Sequence, residues 1–188
     1  MGQVHLSPSV SCLPVTFSLV LPNLKAIGDY LLMNTTLIKY IVIFFIINFA
    51  ALGIGSLATG AAVSGEWYTS INKAPWTPPG WAFGAAWTTI MVFFSVFMGF
   101  AYNEVADKKK LVALYTAQWI LNVSWTPVFF MLEQVIPGLI IIGALSVLVG
   151  YFLVHYRAVL KVKVLLMLPY FVWLLIATSL NAYILFNN

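Results

Sequence analysis

Residues 40–65 read YIVIFFIINFAALGIGSLATGAAVSG, 26 positions without a charged side chain, bounded by Lys39 and Glu66. A helix crosses about 30 Å of hydrocarbon in roughly 20 residues at 1.5 Å per residue, so this stretch is long enough to span a membrane. Four more charge-free runs follow, at 77–103, 111–132, 134–156 and 164–188. Lipid offers the backbone no hydrogen-bond partners, and a helix satisfies its own N–H and C=O groups within one segment. The alternating ten-residue segments of a transmembrane barrel do not occur in the sequence. The runs predict an all-α fold, an integral membrane bundle of five transmembrane helices over about 40–63, 81–103, 111–131, 134–156 and 164–186.

Composition agrees: 62% of residues are hydrophobic and 7% charged, with a mean hydropathy of +0.98, which no soluble surface matches. In a soluble protein the net charge of +4 would suggest a nucleic-acid partner. Here the basic residues have another use, as topology signals, and no nucleic acid is expected. Five spans place Lys25, Lys39, Lys108, Lys109, Lys110, Arg157, Lys161 and Lys163 on the N-terminal side and only Lys73 opposite. The positive-inside rule then predicts a cytoplasmic N-terminus and an external first loop, if the membrane is a prokaryotic plasma membrane. Cys12 is the single cysteine and His5 and His155 the only histidines, so neither a disulfide within the chain nor a Cys/His metal site is expected.

Residues 1–36 differ in character, with Pro8, Pro14 and Pro22, several serines and an apolar patch at 13–21 too short to span. They read as an N-terminal tail, disordered or outside the native chain if translation starts at Met33, ahead of a five-helix membrane domain over 37–188. No basic residue precedes the apolar patch, as a secretory signal would require.

The loop after the first span concentrates aromatic and rigid residues: from Trp67 to Trp87, four tryptophans and three prolines occur within 21 positions. Flat faces on a stiff segment beside membrane helices suit a flat apolar ligand. Within the spans, polar side chains carry the signal, because an amide facing hydrocarbon must find a partner. Tyr115, Gln118, Asn122, Trp125 and Phe129 recur at helical spacing on the third span; Trp173, Ala177 and Asn181 do so on the fifth; Phe83, Trp87 and Met91 do so on the second. Three such stripes beneath an aromatic loop predict an apolar cavity with a few orienting donors and acceptors.

Each residue also has a plainer reading. Single tryptophans anchor interfaces or fill cores, and Trp119, off the amide stripe, fits a lipid-facing position as well as a protein-facing one. Gln118 and Asn122 would serve equally as bridges between helices. Pro127, Pro137 and Pro169 mark bends or span ends. The small-residue pairs Ala51/Gly55, Ser56/Gly60, Ser95/Gly99 and Ala113/Ala117 suit close helix packing or a dimer seam.

Three blocks, taken in order, carry a resemblance. Trp67-Tyr68 leads to Lys73-Ala74-Pro75-Trp76-Thr77-Pro78-Pro79 and Trp87; Leu114-Tyr115-Thr116-Ala117-Gln118 leads to Leu121-Asn122 and Trp125-Thr126-Pro127-Val128-Phe129-Phe130; Pro169-Tyr170-Phe171-Val172-Trp173 leads to Ala177 and Leu180-Asn181. Over about residues 40–188 the chain resembles the tryptophan-rich sensory protein / translocator protein (TspO/MBR) family, also called peripheral-type benzodiazepine receptors. The resemblance implies a homodimer whose cavity, beneath the first loop, binds porphyrins, sterols and benzodiazepine-type ligands. Family ligand positions carry over onto Tyr68, Pro78, Trp87, Gln118, Asn122, Trp125, Trp173 and Ala177. It also implies that Trp87 and Trp173 are the candidates for a light-dependent porphyrin breakdown seen in some bacterial members. Two departures stand out. The family's lysine-proline-any-tryptophan becomes Lys73-Ala74-Pro75-Trp76, and the animal cholesterol motif is incomplete, with Leu180 and Tyr183 but no basic residue after them.

Several function classes are disfavoured. No Asp, Glu, Lys or Arg lies mid-span, where an ion-coupled transporter keeps its ionisable groups. The serine/histidine/acid set of a hydrolase and the glycine-rich phosphate loop are both missing from the sequence. The sequence therefore predicts a membrane receptor or sensor for tetrapyrroles, with protoporphyrin IX or heme as ligand, no required cofactor, no metal, and the bilayer and a second copy as partners. Light-dependent porphyrin degradation and translocation of porphyrin or lipid are the alternatives. Burying about 300 Å² of apolar ligand surface at roughly 25 cal/mol per Å² gives about 7–8 kcal/mol before association costs, enough for micromolar binding.

Overall fold

A computed structural model describes the backbone of residues 15–188 and the side chains of 34–60 and 62–188. The first fourteen residues of the expected tail lie outside the described residues. Every regular element described is helical: α1 (Val15–Ala62), α2 (Glu66–Ser70), α3 (Gly80–Glu104), α4 (Lys108–Thr126), α5 (Val135–His155), α6 (Arg157–Leu160) and α7 (Leu168–Asn187). A π-helical turn (Pro127–Met131) extends α4, and a 3₁₀ segment (Lys161–Met167) precedes α7.

Among the described residues, four segments are long and apolar enough to cross a membrane: Asn34–Gly60, Gly80–Glu104, Val135–His155 and Arg157–Asn187. The predicted third span, 111–131, is helical but falls outside this set. Its α-helix is 19 residues long and carries Lys108, Lys109 and Lys110 at its start and Gln118, Asn122 and Ser124 within. The reason is placement. Gln118 is buried, so α4 turns amides toward protein and does not need the apolarity that a lipid-facing helix needs.

The prolines fall where the sequence reading puts bends and ends. Pro137 and Pro169 sit in the first turns of α5 and α7, where the missing N–H costs no hydrogen bond. Pro127 opens the π turn, closed by Leu132 N–H donating to the Pro127 carbonyl at 3.0 Å. The wider turn buries both Phe129 and Phe130. α4 itself starts from Asp107, whose carboxylate caps it by accepting from Lys110 N–H at 2.9 Å.

The bundle packs α5 along α7 and α4, and α3 on α7 and the 3₁₀ segment. Phe94, Phe97, Phe152 and Tyr170 interlock edge to face at its centre. The small-residue pairs divide into separate roles. A Cβ on Gly99 would strike the Ile41 side chain and backbone, and one on Gly138 would meet Phe129 at 3.0 Å, so helices touch at both. Ala113 and Ala117 are exposed. Ala51, Gly55, Ser56 and Gly60 line a cavity, Ala51 being buried and Gly55 lying beside Thr126.

Candidate functional site

The cavity, about 600 Å³, lies where α1, the first loop, α3 and the end of α4 meet. α1 contributes its small face, including Ala51, Gly55 and Thr59; the loop adds Tyr68, Lys73, Thr77 and Pro78; α3 adds Phe83, Trp87 and Met91; α4 adds Asn122, Trp125 and Thr126. A Cβ on Gly60, Gly80 or Gly84 would meet nothing within 4 Å, which leaves that side of the cavity open.

Five of the eight residues singled out for ligand contact, Tyr68, Pro78, Trp87, Asn122 and Trp125, lie together on this wall. Gln118 lies off it, one turn along α4 from Asn122 and buried. Its Nε2 donates to the Tyr170 hydroxyl at 2.8 Å, and that hydroxyl donates to Asn122 Oδ1 at 3.2 Å. Gln118 thus orients the cavity amide through Tyr170. With one lone pair of Oδ1 engaged, Asn122 keeps its Nδ2 donors and one acceptor site free of the relay. Gln118 Oε1 has no partner among the described residues.

Trp173 stands behind Phe83, ring centroids 5.3 Å apart and edge to face, with its indole N–H buried and unpartnered among the described residues. Ala177 borders a separate gap of about 20 Å³ shared with Trp125, Phe129 and Asn181. Trp125 is held by three contacts. It stacks on Phe129 at 5.9 Å, meets Phe130 edge on, and its Nε1 donates to Asn181 Oδ1 at 3.4 Å. Asn181 Nδ2 in turn donates to the Ala177 carbonyl at 3.0 Å.

Of the four loop tryptophans, only Trp87 reaches the cavity wall. Trp67 packs on Phe129, Trp81 is 76% exposed, and Trp76 reaches α7, donating from Nε1 to Ser179 Oγ at 3.1 Å and meeting Tyr183 edge on. The loop touches α7 again at its end: Asn72 N–H donates to Asn188 Oδ1 at 2.8 Å, and Asn72 Nδ2 to the Asn187 carbonyl at 3.0 Å. Between these ties Ala74 to Thr77 form a turn, with Thr77 N–H donating to the Ala74 carbonyl at 2.9 Å and Pro75 at its second position. That turn is the local path the displaced proline takes.

Sequence reasoning missed Lys73, Thr77, Thr126 and the α1 face. In the sequence Lys73 reads as a topology charge and part of the loop motif, and the α1 small residues as helix packing or a dimer seam. Tyr115, on the predicted amide stripe, proves to be helix glue: its hydroxyl donates to Asn48 Oδ1 at 2.8 Å, while Asn48 Nδ2 donates to Ser95 Oγ at 2.9 Å. Trp119, for which the sequence leaves both sides open, is half-buried and donates to the Ile47 carbonyl at 3.4 Å. Burial raises the Tyr68 phenol above its ordinary value of 10, so it stays a neutral hydrogen-bonding group.

The family model described as the TspO/MBR family matches residues 26–186. The chain belongs to the TspO/MBR family. It is 34% identical over 128 residues to the tryptophan-rich protein TspO of Archaeoglobus fulgidus, covering 68% of this chain and 82% of that one. It is 33% identical over 129 residues to Protein CrtK of Rhodobacter capsulatus, covering 66% and 80%. It is 30% identical over 138 residues to the human translocator protein, covering 70% and 82%. Membership and the apolar helices together make it an integral, multi-pass membrane protein. In this TspO/MBR chain the described wall is mostly apolar and aromatic, with Asn122, Thr77, Thr126, Tyr68 and Lys73 among its polar groups, an arrangement able to bury, stack on and orient an apolar ring system.

Proposed function

We propose that this protein is a five-span, homodimeric membrane receptor or sensor that binds porphyrins in the cavity beneath its first loop. α4 with its π turn completes the five as the third span in chain order, buried enough to carry amides. The observation behind the reading is the wall itself: two indoles, Trp87 and Trp125, with ring centroids 6.3 Å apart, beside one oriented amide, Asn122, in a space of about 600 Å³. Pockets of roughly 300–1,000 Å³ that are mostly apolar with a few placed polar groups suit flat ligands of this size.

The N-terminal side faces the cytoplasm in a prokaryotic plasma membrane. At that end Lys163 pairs with Glu104, and Lys110 Nζ lies 3.4 Å from His155 Nε2. The cavity and loop then face outward.

Titrating protoporphyrin IX into purified protein and following tryptophan quenching tests the reading. Trp87→Phe and Asn122→Ala weaken binding, and Trp173→Phe weakens it less, through the Phe83 ring it supports. Parent-like affinity in all three removes the cavity from the role.

Light-dependent porphyrin breakdown is the second reading, favoured by Trp87 lying on the wall. A photoexcited porphyrin beside an oxidisable indole exchanges an electron without an acid–base residue. Illumination under oxygen tests it: a product band that persists when both Trp87 and Trp173 are replaced by Phe excludes the indoles from the chemistry. Translocation of porphyrin or lipid needs the same cavity, and flux across proteoliposomes separates it from binding.

A further inference from the structure

We propose that Lys73 makes the cavity selective for flat apolar ligands that carry a carboxylate, which it receives at the loop end of the site. This rests on the porphyrin reading and deepens it, by naming the recognised group and the residue that recognises it.

Lys73 borders both the cavity and the smaller gap beside it and is half-buried. Its Nζ lies 4.7 Å from the centroid of the Tyr68 ring. Among the described residues lining the cavity it is the sole cation, and none is a carboxylate. The Tyr68 phenol, kept neutral by burial, does not supply the missing negative charge. A cation partly withdrawn from water and without a counter-ion is costly, and a ring face offsets only part of that cost. A ligand anion offsets the remainder.

The backbone that follows Lys73 is also held in place. Ala74 beside it is buried, and both Thr77 N–H and Thr77 Oγ1 donate to the Ala74 carbonyl, at 2.9 and 2.7 Å, closing the turn that follows Lys73. α3 begins on the same wall at Gly80 with no side-chain cap from Pro79, and its dipole favours negative charge there as well. A porphyrin places its macrocycle against Trp87 and Trp125 and a propionate at Lys73.

The test compares protoporphyrin IX with its dimethyl ester, the same ring without the charges, by tryptophan quenching on the full chain in detergent. The parent binds the acid about tenfold more tightly than the diester, as a charge-assisted contact in a partly dry site would give. Lys73→Gln brings the two within about twofold by weakening the acid alone, and Lys73→Arg keeps the preference. Equal binding of acid and diester by the parent overturns the proposal while the porphyrin reading stands. An undiminished preference in Lys73→Gln also overturns it, because the diester is then excluded by shape or by another group. Binding of neither probe overturns both readings. The parent comparison needs no variant, so a Lys73→Gln protein that fails to fold leaves it decisive.

Discussion

The Tyr170 hydroxyl stands between Gln118 and Asn122, accepting from one at 2.8 Å and donating to the other at 3.2 Å, and so ties the cavity wall to the bundle core. Tyr170→Phe removes both bonds and leaves a buried amide nitrogen unpaired, which costs about 1–3 kcal/mol. The melting temperature in detergent is expected to fall by several degrees. Porphyrin affinity is expected to fall about three- to tenfold, because Asn122 is no longer held. Asn122→Ala is expected to match the affinity loss with a smaller loss of stability, since Asn122 is only half-buried. A Tyr170→Phe protein that binds like the parent separates the relay from the ligand.

Filling the cavity from its open side distinguishes it from a packing seam. Gly84 lies on the α3 wall, and a Cβ there would meet nothing within 4 Å. Gly84→Leu gains about 0.8 kcal/mol of helix propensity and projects into ligand space. Melting is expected to hold or rise while porphyrin affinity drops at least about tenfold. Loss of folding would mean that the glycine is there for helix contact after all.

The loop is tied down at two points on α7, Trp76 to Ser179 and Asn72 to the last two residues. Both ties are exposed, so each contributes only about 0.5–1.5 kcal/mol. Asn72→Ala and Trp76→Phe are therefore expected to leave the global melt nearly unchanged. Amide hydrogen exchange through residues 72–77 is expected to quicken, and ligand to leave faster. Unchanged exchange in an Asn72→Ala, Trp76→Phe, Asn188→Ala triple variant, in which the Asn72 N–H also loses Asn188 Oδ1, argues against a latch.

Four of the five predicted spans were legible because lipid imposes them residue by residue: a charge-free apolar run of sufficient length has few alternatives, whereas α4 mixes amides into its run. The stripes on α3 and α4 were legible for a similar reason, since helical periodicity alone puts Trp87 beside Met91, and Asn122 beside Trp125. What periodicity does not reveal is depth along the stripe. Gln118 and Asn122 share a face, yet one is sealed in the core and the other lines the cavity, a difference set by Tyr170 from a distant helix. The role of glycine was equally hidden. Gly99 and Gly60 look alike in sequence, but Ile41 crowds one and open space faces the other. Lys73 was visible as a charge, and only the fold brings it to Tyr68 on the cavity wall.

Lys161 joins α6 to the 3₁₀ segment with φ 51° and ψ −124°, a conformation that side chains disfavour and glycine adopts freely. Leu160 before it and Val164 after it are both buried, and their packing holds the strained corner. Lys161→Gly is expected to stabilise the protein by about 1 kcal/mol, after allowing for the greater freedom glycine has in the unfolded chain. Lys161→Ala removes the same charge without relieving the backbone and is expected to leave stability unchanged or slightly lower. Melting curves of the two variants in one detergent separate charge from conformation: a gain shared by both would assign the effect to the lost ammonium, and a gain confined to glycine assigns it to the corner.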